Sequence, residues 1–312
     1  MSKDFIKNVF SKLPSCSTWS SQLIQIKNGA RTGTSYFSRE IELSPPSKIK
    51  EYVQTLSQLY TKEEGVIDSF SSVDLYSGDV VDHTIYKLQV DNQLIKEAYD
   101  RLITSISNPN KEVKISDIKP NACLLKGHIV LDSNGPEIDV LLVSMQKPIT
   151  LLSNRYWMLE TGVFHEISAP ILTLRNTIDV MIVGSTMYMF NLSGENLFSM
   201  ERSYKAVCMG IVDEIVKCDY LSDADTFKTI SNQGRNPRRF ISYNALHFEA
   251  LSDIKRRKEL ANIFGFSITS EGIINTQKIG EVEKLIKFLC NKAMLDPCNS
   301  TPMEVSATKP WI

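Results

Sequence analysis

Glu137 and Asp139 stand two residues apart in Pro136-Glu137-Ile138-Asp139-Val140-Leu141, an acidic pair entering an apolar strand. Nucleases of the restriction-endonuclease type place a metal ligand on such a strand. Their next strand supplies an acidic residue with a lysine two positions later, and the metal activates water. Here Glu160 is followed at that spacing by Gly162, and Glu166 by Ser168. With no second ligand and no lysine, Asp139 is expected to be a polar residue at a strand edge. No catalytic residue, metal ligand or cofactor is therefore expected. A metal-dependent nuclease using Glu137 and Asp139 is the alternative.

The other nucleophiles and ligands are scattered. His83, His128, His165 and His247 show no H-x-x-x-H or H-E-x-x-H spacing, so a helical zinc site is not encoded. The chain has no G-x-x-x-x-G-K-[ST] phosphate loop and no G-x-S-x-G nucleophile elbow. The six cysteines (Cys16, Cys123, Cys208, Cys218, Cys290, Cys298) form no C-x-x-C pair, which fits reduced thiols in a cytoplasm.

Charge gives the strongest lead. Residues Gln233 to Lys258 carry Arg235, Arg238, Arg239, Lys255, Arg256, Arg257 and Lys258 against Glu249 and Asp253, a net +5 in 26 residues of a chain whose formal net charge is -1. Arg and Lys clustered in this way suit phosphate contact. These seven residues are the expected DNA-binding set. No zinc-finger spacing or basic zipper accompanies them, so binding without strong sequence preference to double-stranded DNA is expected. The bland alternative is a solvated helix face or a scaffold that meets only protein. Charge is uneven elsewhere too: residues 1–50 carry a net +5, whereas Glu63 to Asp100 carries nine acidic residues against two basic. That acidic block is a candidate face for a basic partner.

The elements that must position these residues follow from periodicity. Phe5 to Leu13 reads as a short amphipathic helix that packs within the protein or across a subunit contact. Trp19–Ile26 and Ser35–Ile41 read as paired strands. Ser44 and Pro45 read as the start of a helix carrying Ile49, Tyr52, Val53, Leu56 and Tyr60 on one face. Asp91 is expected to cap a further helix with Leu94, Leu102 and Ile103. Strands are expected at Cys123–Leu131, Ile138–Met145, Tyr156–Ile167, Ile171–Arg175 and Ile178–Val183. Gly184-Ser185 turns the last into Thr186–Phe190. Helices follow around Tyr204–Ile215 and Thr226–Ile230. The basic segment is expected as two helices broken near Ser252, and another helix spans Ile279–Cys290. Hairpins followed by helices favour an α+β fold. It is expected as a mixed N-terminal α/β domain over residues 1–115, then a mainly antiparallel sheet with C-terminal helices over 116–312. No apolar run approaches the ~20 residues of a membrane helix, and the N-terminus lacks a signal-peptide core.

Asn176-Thr177-Ile178-Asp179-Val180-Met181-Ile182-Val183-Gly184-Ser185-Thr186-Met187-Tyr188-Met189-Phe190, with Asn196-Leu197-Phe198 soon after, is an apolar strand interrupted by aspartate, a tight hairpin and a helix carrying phenylalanine. Together with the charged helices that end in Phe264-Gly265-Phe266-Ser267-Ile268-Thr269, it resembles the KwaB family, the soluble component of the bacterial Kiwa anti-phage system. The resemblance covers roughly residues 120 to 310. It implies a cytoplasmic antiviral protein that binds DNA and interferes with phage DNA rather than cutting it. It also implies recruitment to the inner membrane through a partner, the small membrane protein KwaA, without direct insertion. A homo-oligomer such as a dimer is expected. The family supplies no catalytic residues to carry over.

Overall fold

The structure, a computed structural model, describes residues 3–29, 33–45, 47–76, 78, 83–110, 117–132, 135–150, 156–169, 171–296 and 302–304. The chain divides into two compact units, one formed by residues 1–75 and 83–199, the other by 76–82 and 200–312. Asp79 and Asp82 of the acidic block, and Cys298, lie outside the described residues.

The first unit is built on an eight-stranded sheet. Its elements in chain order are α1 (Lys3–Lys12), β1 (Ser20–Gly29), β2 (Gly33–Ile41), α2 (Ser47–Thr61), β3 (Ser72–Leu75), β4 (Thr84–Gln89), α3 (Lys96–Ser107), β5 (Ala122–Val130) and β6 (Glu137–Met145). Then come β7 (Ile149–Thr150), β8 (Tyr156–Glu160), β9 (Val163–Ile167), β10 (Ile171–Leu172), β11 (Val180–Val183), β12 (Thr186–Met189) and α4 (Gly194–Phe198). The sheet order is β2-β1-β5-β6-β11-β12-β4-β3, antiparallel throughout except for the β3–β4 pair. This bears out the α+β class. The expected domain boundary near residue 115 does not coincide with the division into units, because β5, β6, β11 and β12 complete the sheet that β1 and β2 begin.

Register sorts the side chains. Leu125 and Ile129, Val140 and Leu142, Met181 and Val183, and Tyr188 alternate onto one face and meet Ile6, Val9 and Phe10 of α1 and Val53, Leu56 and Tyr60 of α2. Phe10 stacks on Tyr60 at 4.1 Å between ring centroids. The α1 helix thus packs inside the protein, and its flank is tied by Lys7 to Asp68 at 2.7 Å and by Lys3 Nζ to the Phe70 carbonyl at 2.6 Å. At the β1–β2 end, α3 lies against the sheet, with Gln22 Nε2 donating to the Ile106 carbonyl at 2.9 Å.

Three local expectations change. The second helix starts at Ser47, three residues after Ser44. Asn92, not Asp91, organises the entry to α3: its side chain accepts the Leu94 N–H and its carbonyl accepts those of Ile95 and Lys96. Tyr156–Ile167 is not one strand but the hairpin β8–β9, reversed at Thr161-Gly162, where both residues have positive φ, and it forms a sheet of its own.

The aspartate inside the resemblance motif is structural. Asp179 is buried and accepts the Met145 N–H at 2.6 Å and the Ser193 hydroxyl at 2.7 Å. Next to it the Ile178 N–H donates to the Tyr60 hydroxyl at 2.7 Å, and burial pushes that phenol up to about 12. Gly194 has no room for a side chain, since a Cβ would come within 2.5 Å of Val180.

The second unit contains α5 (Met200–Ile215), α6 (Ala224–Ser231), α7 (Asn236–Arg239), α8 (Ala245–Ala250), α9 (Ile254–Phe264), α10 (Ile279–Leu289), β13 (Ala293–Leu295) and β14 (Pro302–Glu304). Cys208, Val212, Phe227, Phe240, Leu260, Val282, Leu285 and Phe288 form its core.

Replacing Asp179 with Ala leaves the half-buried Met145 N–H without its acceptor and frees Ser193. A loss of about 2 to 4 kcal/mol is expected in urea unfolding, because a buried acceptor and two donors are affected together. Ser193→Ala, which removes only one donor, should cost about 1 kcal/mol.

Candidate nucleic-acid interface

The basic segment folds as α7, a short 3-10 turn (Phe240–Ser242), α8 and α9. The break expected near Ser252 falls between α8 and α9. There Asp253 caps α9 by accepting the Arg256 N–H at 2.7 Å, and Gly265, with φ +71°, ends it. Pro237 sits at the start of α7, where its missing N–H costs nothing. A second break at Asn244, whose side chain accepts the Leu246 N–H, went unforeseen.

The seven expected DNA contacts divide by burial. Arg235, Lys255 and Arg256 are exposed, while Arg238, Arg239 and Lys258 are half-buried. Arg257 is only 7% exposed. Its Nε donates to the Leu251 carbonyl at 2.6 Å, one terminal nitrogen to Gly272 at 2.6 Å and the other to Ser252 at 3.2 Å. The guanidinium also lies 4.1 Å over the Tyr220 ring. Arg257 therefore joins the α8–α9 connection to the turn at Gly272, and it has no face left for a phosphate.

The remaining cations are held more loosely. Arg256 pairs with Glu259 at 3.0 Å in an exposed i,i+3 pair, an interaction that water and salt largely screen. Lys258 Nζ donates to the Ser270 carbonyl at 2.5 Å. Arg239 donates to Asn236 Oδ1 at 2.8 Å, and Asn236 in turn donates to the Ile230 carbonyl. Arg238 lies 5.4 Å over the Tyr204 ring of α5. The Glu201 carboxyl of α5 is lowered by its hydrogen bond to Lys205 and, more weakly, by Arg238. The fold thus gives two basic groups, one on α7 beside α5 and one at the start of α9. Sequence spacing did not foresee the α5 carboxylate, because nothing in residues 200–205 signals a neighbour on α7.

Lys255 and Arg256 occupy the first turn of α9, where the helix dipole already contributes partial positive charge. Cations there repel the helix end unless an anion is present. Asp253 offsets part of this, and a phosphate would offset more.

The acidic residues of the nuclease alternative are elsewhere. Asp139, on β6, faces His128 of β5 across the ladder, with Nδ1 to Oδ1 at 2.6 Å. Glu160 and Glu166 lie on the separate β8–β9 sheet. Among the described residues no group of three or more His, Cys, Asp or Glu side chains could hold a metal ion. Burial pushes the Cys123 and Cys208 thiols up to about 12, so both are protonated near neutral pH. Of the acidic block, Asp68 pairs with Lys7 and Glu97 with Arg101. No helix among the described residues is long and apolar enough to cross a membrane.

These features define an α+β protein of two units, the second helical with cations exposed on short capped helices. Residues 141–295, about half of the chain, match the family described as Kiwa protein KwaB-like. Over that stretch the chain belongs to the KwaB-like family and is a KwaB-type component of Kiwa, an anti-phage defence system. No curated protein and no solved structure matches it.

Arg257→Ala should unfold the α8–α9 connection. It removes donors from three carbonyls at once, so a stability loss of about 3 kcal/mol is expected in thermal or urea unfolding. The neighbouring Arg256→Ala should change stability by less than about 0.5 kcal/mol.

Proposed function

We propose that the chain is a non-enzymatic anti-phage effector that binds double-stranded DNA through its phosphates and works with the membrane protein KwaA. The observation that carries the DNA reading is the exposure of Lys255 and Arg256 in the first turn of α9, where helix dipole and side-chain charge both favour an anion. Arg235, Arg238, Arg239 and Lys258 extend the basic surface, and Arg257 supports it from inside. With no base-reading element among these cations, affinity comes from neutralised phosphate and is similar for different sequences. Family membership supports the defence role and the membrane partner. The protein reaches the membrane through that partner, and the exposed acidic residues of Glu63 to Asp100 offer it a complementary face.

If about four phosphates are neutralised, the slope of log K against log salt is about -3.6, and a fourfold rise in salt weakens binding about 150-fold. Fluorescence anisotropy on a labelled duplex between low and physiological salt reads this directly. Affinity that is flat with salt contradicts phosphate binding. Lys255→Glu combined with Arg256→Glu should weaken binding by more than tenfold while the thermal midpoint holds. Incubation of supercoiled DNA with magnesium or manganese should leave it retarded and uncut, and cleavage would instead establish the nuclease. In cells, co-expression with KwaA should move the chain to the membrane fraction. Equal membrane recovery with and without KwaA excludes recruitment by that partner.

A further inference from the structure

Beside the C-terminal end of α3, the first unit holds an open cleft of about 720 Å³, within the size range of small-ligand sites. Its floor is the sheet face opposite α1 and α2. Alternation puts Ser20 and Gln22 of β1, Glu40 of β2, and Lys126 and His128 of β5 on that floor, with Gln22 across from Glu40 and Ser20 across from Lys126. Gln22 is only 4% exposed, and its Nε2 donates to the Ile106 carbonyl at 2.9 Å. A carbonyl can only accept, so this bond fixes which end of the amide is nitrogen. Oε1 is committed to the other side, where it accepts no hydrogen bond among the described residues. A buried acceptor without a donor is unfavourable, and a ligand N–H entering the floor of the cleft would satisfy it.

The two ends of the cleft differ in polarity. At the Gln22 end stand the exposed Glu40 and the last turn of α3, where the helix dipole is negative. That end favours N–H donors and repels anions. At the other end, half-buried Lys126 makes no ion pair among the described residues. His128, two residues further along β5, has Nδ1 2.6 Å from Asp139 Oδ1. That contact leaves Nε2 for a ligand, and Asp139 balances the charge of the doubly protonated ring. Lys126 and His128 together suit a phosphate. Two residues along the strand and one strand across put Gln22 roughly 8 Å from Lys126 between backbones. We infer that the cleft binds a nucleoside monophosphate, with its phosphate on Lys126 and His128 and an amino group of its base on Gln22 Oε1. Inorganic phosphate is too short to reach both ends, whereas a ribose holds base and phosphate apart by the needed span. The cleft shares no residue with the basic segment of the second unit, and it has the size of one nucleotide rather than of a duplex.

The test is isothermal titration calorimetry of the purified full chain, without DNA, against adenosine, guanosine and cytidine monophosphates. At least one is expected to bind with a dissociation constant of about 1 to 100 μM. The matching nucleoside, ribose 5-phosphate and inorganic phosphate should each bind at least tenfold more weakly. Lys126→Ala should weaken the nucleotide at least tenfold, because it removes a charged donor, and leave the nucleoside unchanged. Gln22→Met keeps the size of the side chain but removes its oxygen, and should weaken nucleotide and nucleoside alike. That variant also loses the bond to Ile106, so where it fails to fold, Lys126→Ala at its half-buried position decides the matter. Lys255→Glu with Arg256→Glu should leave nucleotide binding unchanged. The proposal is overturned if none of the three nucleotides binds at about 1 mM. It is also overturned if ribose 5-phosphate or inorganic phosphate binds as tightly as the nucleotide, or if Lys126→Ala binds it undiminished. Nucleotide binding lost with Lys255 and Arg256 would assign it to the basic segment and overturn the cleft as well. Because no DNA is present, these outcomes are independent of the DNA-binding reading.

Discussion

Asp179 is the constraint on which the first unit depends. A buried carboxylate is costly unless donors surround it, and here they come from the end of β6 and from the turn before α4. One residue earlier, the Ile178 N–H holds the Tyr60 hydroxyl of α2. The start of β11 thus fixes three elements that are distant in sequence. Alternation then follows along the strand, with Met181 and Val183 facing α1 and α2 and Val180 under Gly194. Moving β11 by one residue would turn that whole set to the opposite face of the sheet, away from α1 and α2, so the polar anchor sets the register for the apolar packing.

In the second unit the same residue type serves two purposes. Arg257 is an interior cross-link between carbonyls, while Arg256, one position earlier on the same helix, is exposed. A turn of about 100° per residue separates them. Planar guanidinium suits the interior role, because its fork reaches several carbonyls at once while its face covers Tyr220. Surface charge on α9 is therefore held in place by buried charge of the same sign.

Much of this was legible in the sequence where a local rule sufficed. Gly184-Ser185 announced its hairpin, and the spans expected for α5 and α10 match the helices observed. Failures came where partners lie far away. Ile85, Tyr86 and Leu88 of β4 sit inside the acidic block, whose net charge hid a strand that pairs with β12 about a hundred residues later. The Thr161-Gly162 turn was missed because the β-prone residues Trp157–Leu159 and Val163–Phe164 on either side of it read as one strand. Burial divides the basic segment, and no spacing rule distinguishes Arg257 from Arg256. Asp179 was noticed as an interruption in an apolar strand, yet its donors, Met145 and Ser193, could be found only after folding.

The strand order also bears on the sequence in which the chain is made. The outer strands β2 and β3 come from the first 75 residues, whereas β11 and β12, in the middle of the sheet, come from residues 180–189. During synthesis the flanks therefore emerge before the strands that join them. Until Met189 emerges, β6 and β4 each present an open edge rich in apolar side chains. A stall or truncation before that point leaves two sticky half-sheets rather than a smaller stable protein, so the nascent chain is most in need of chaperones over its middle third.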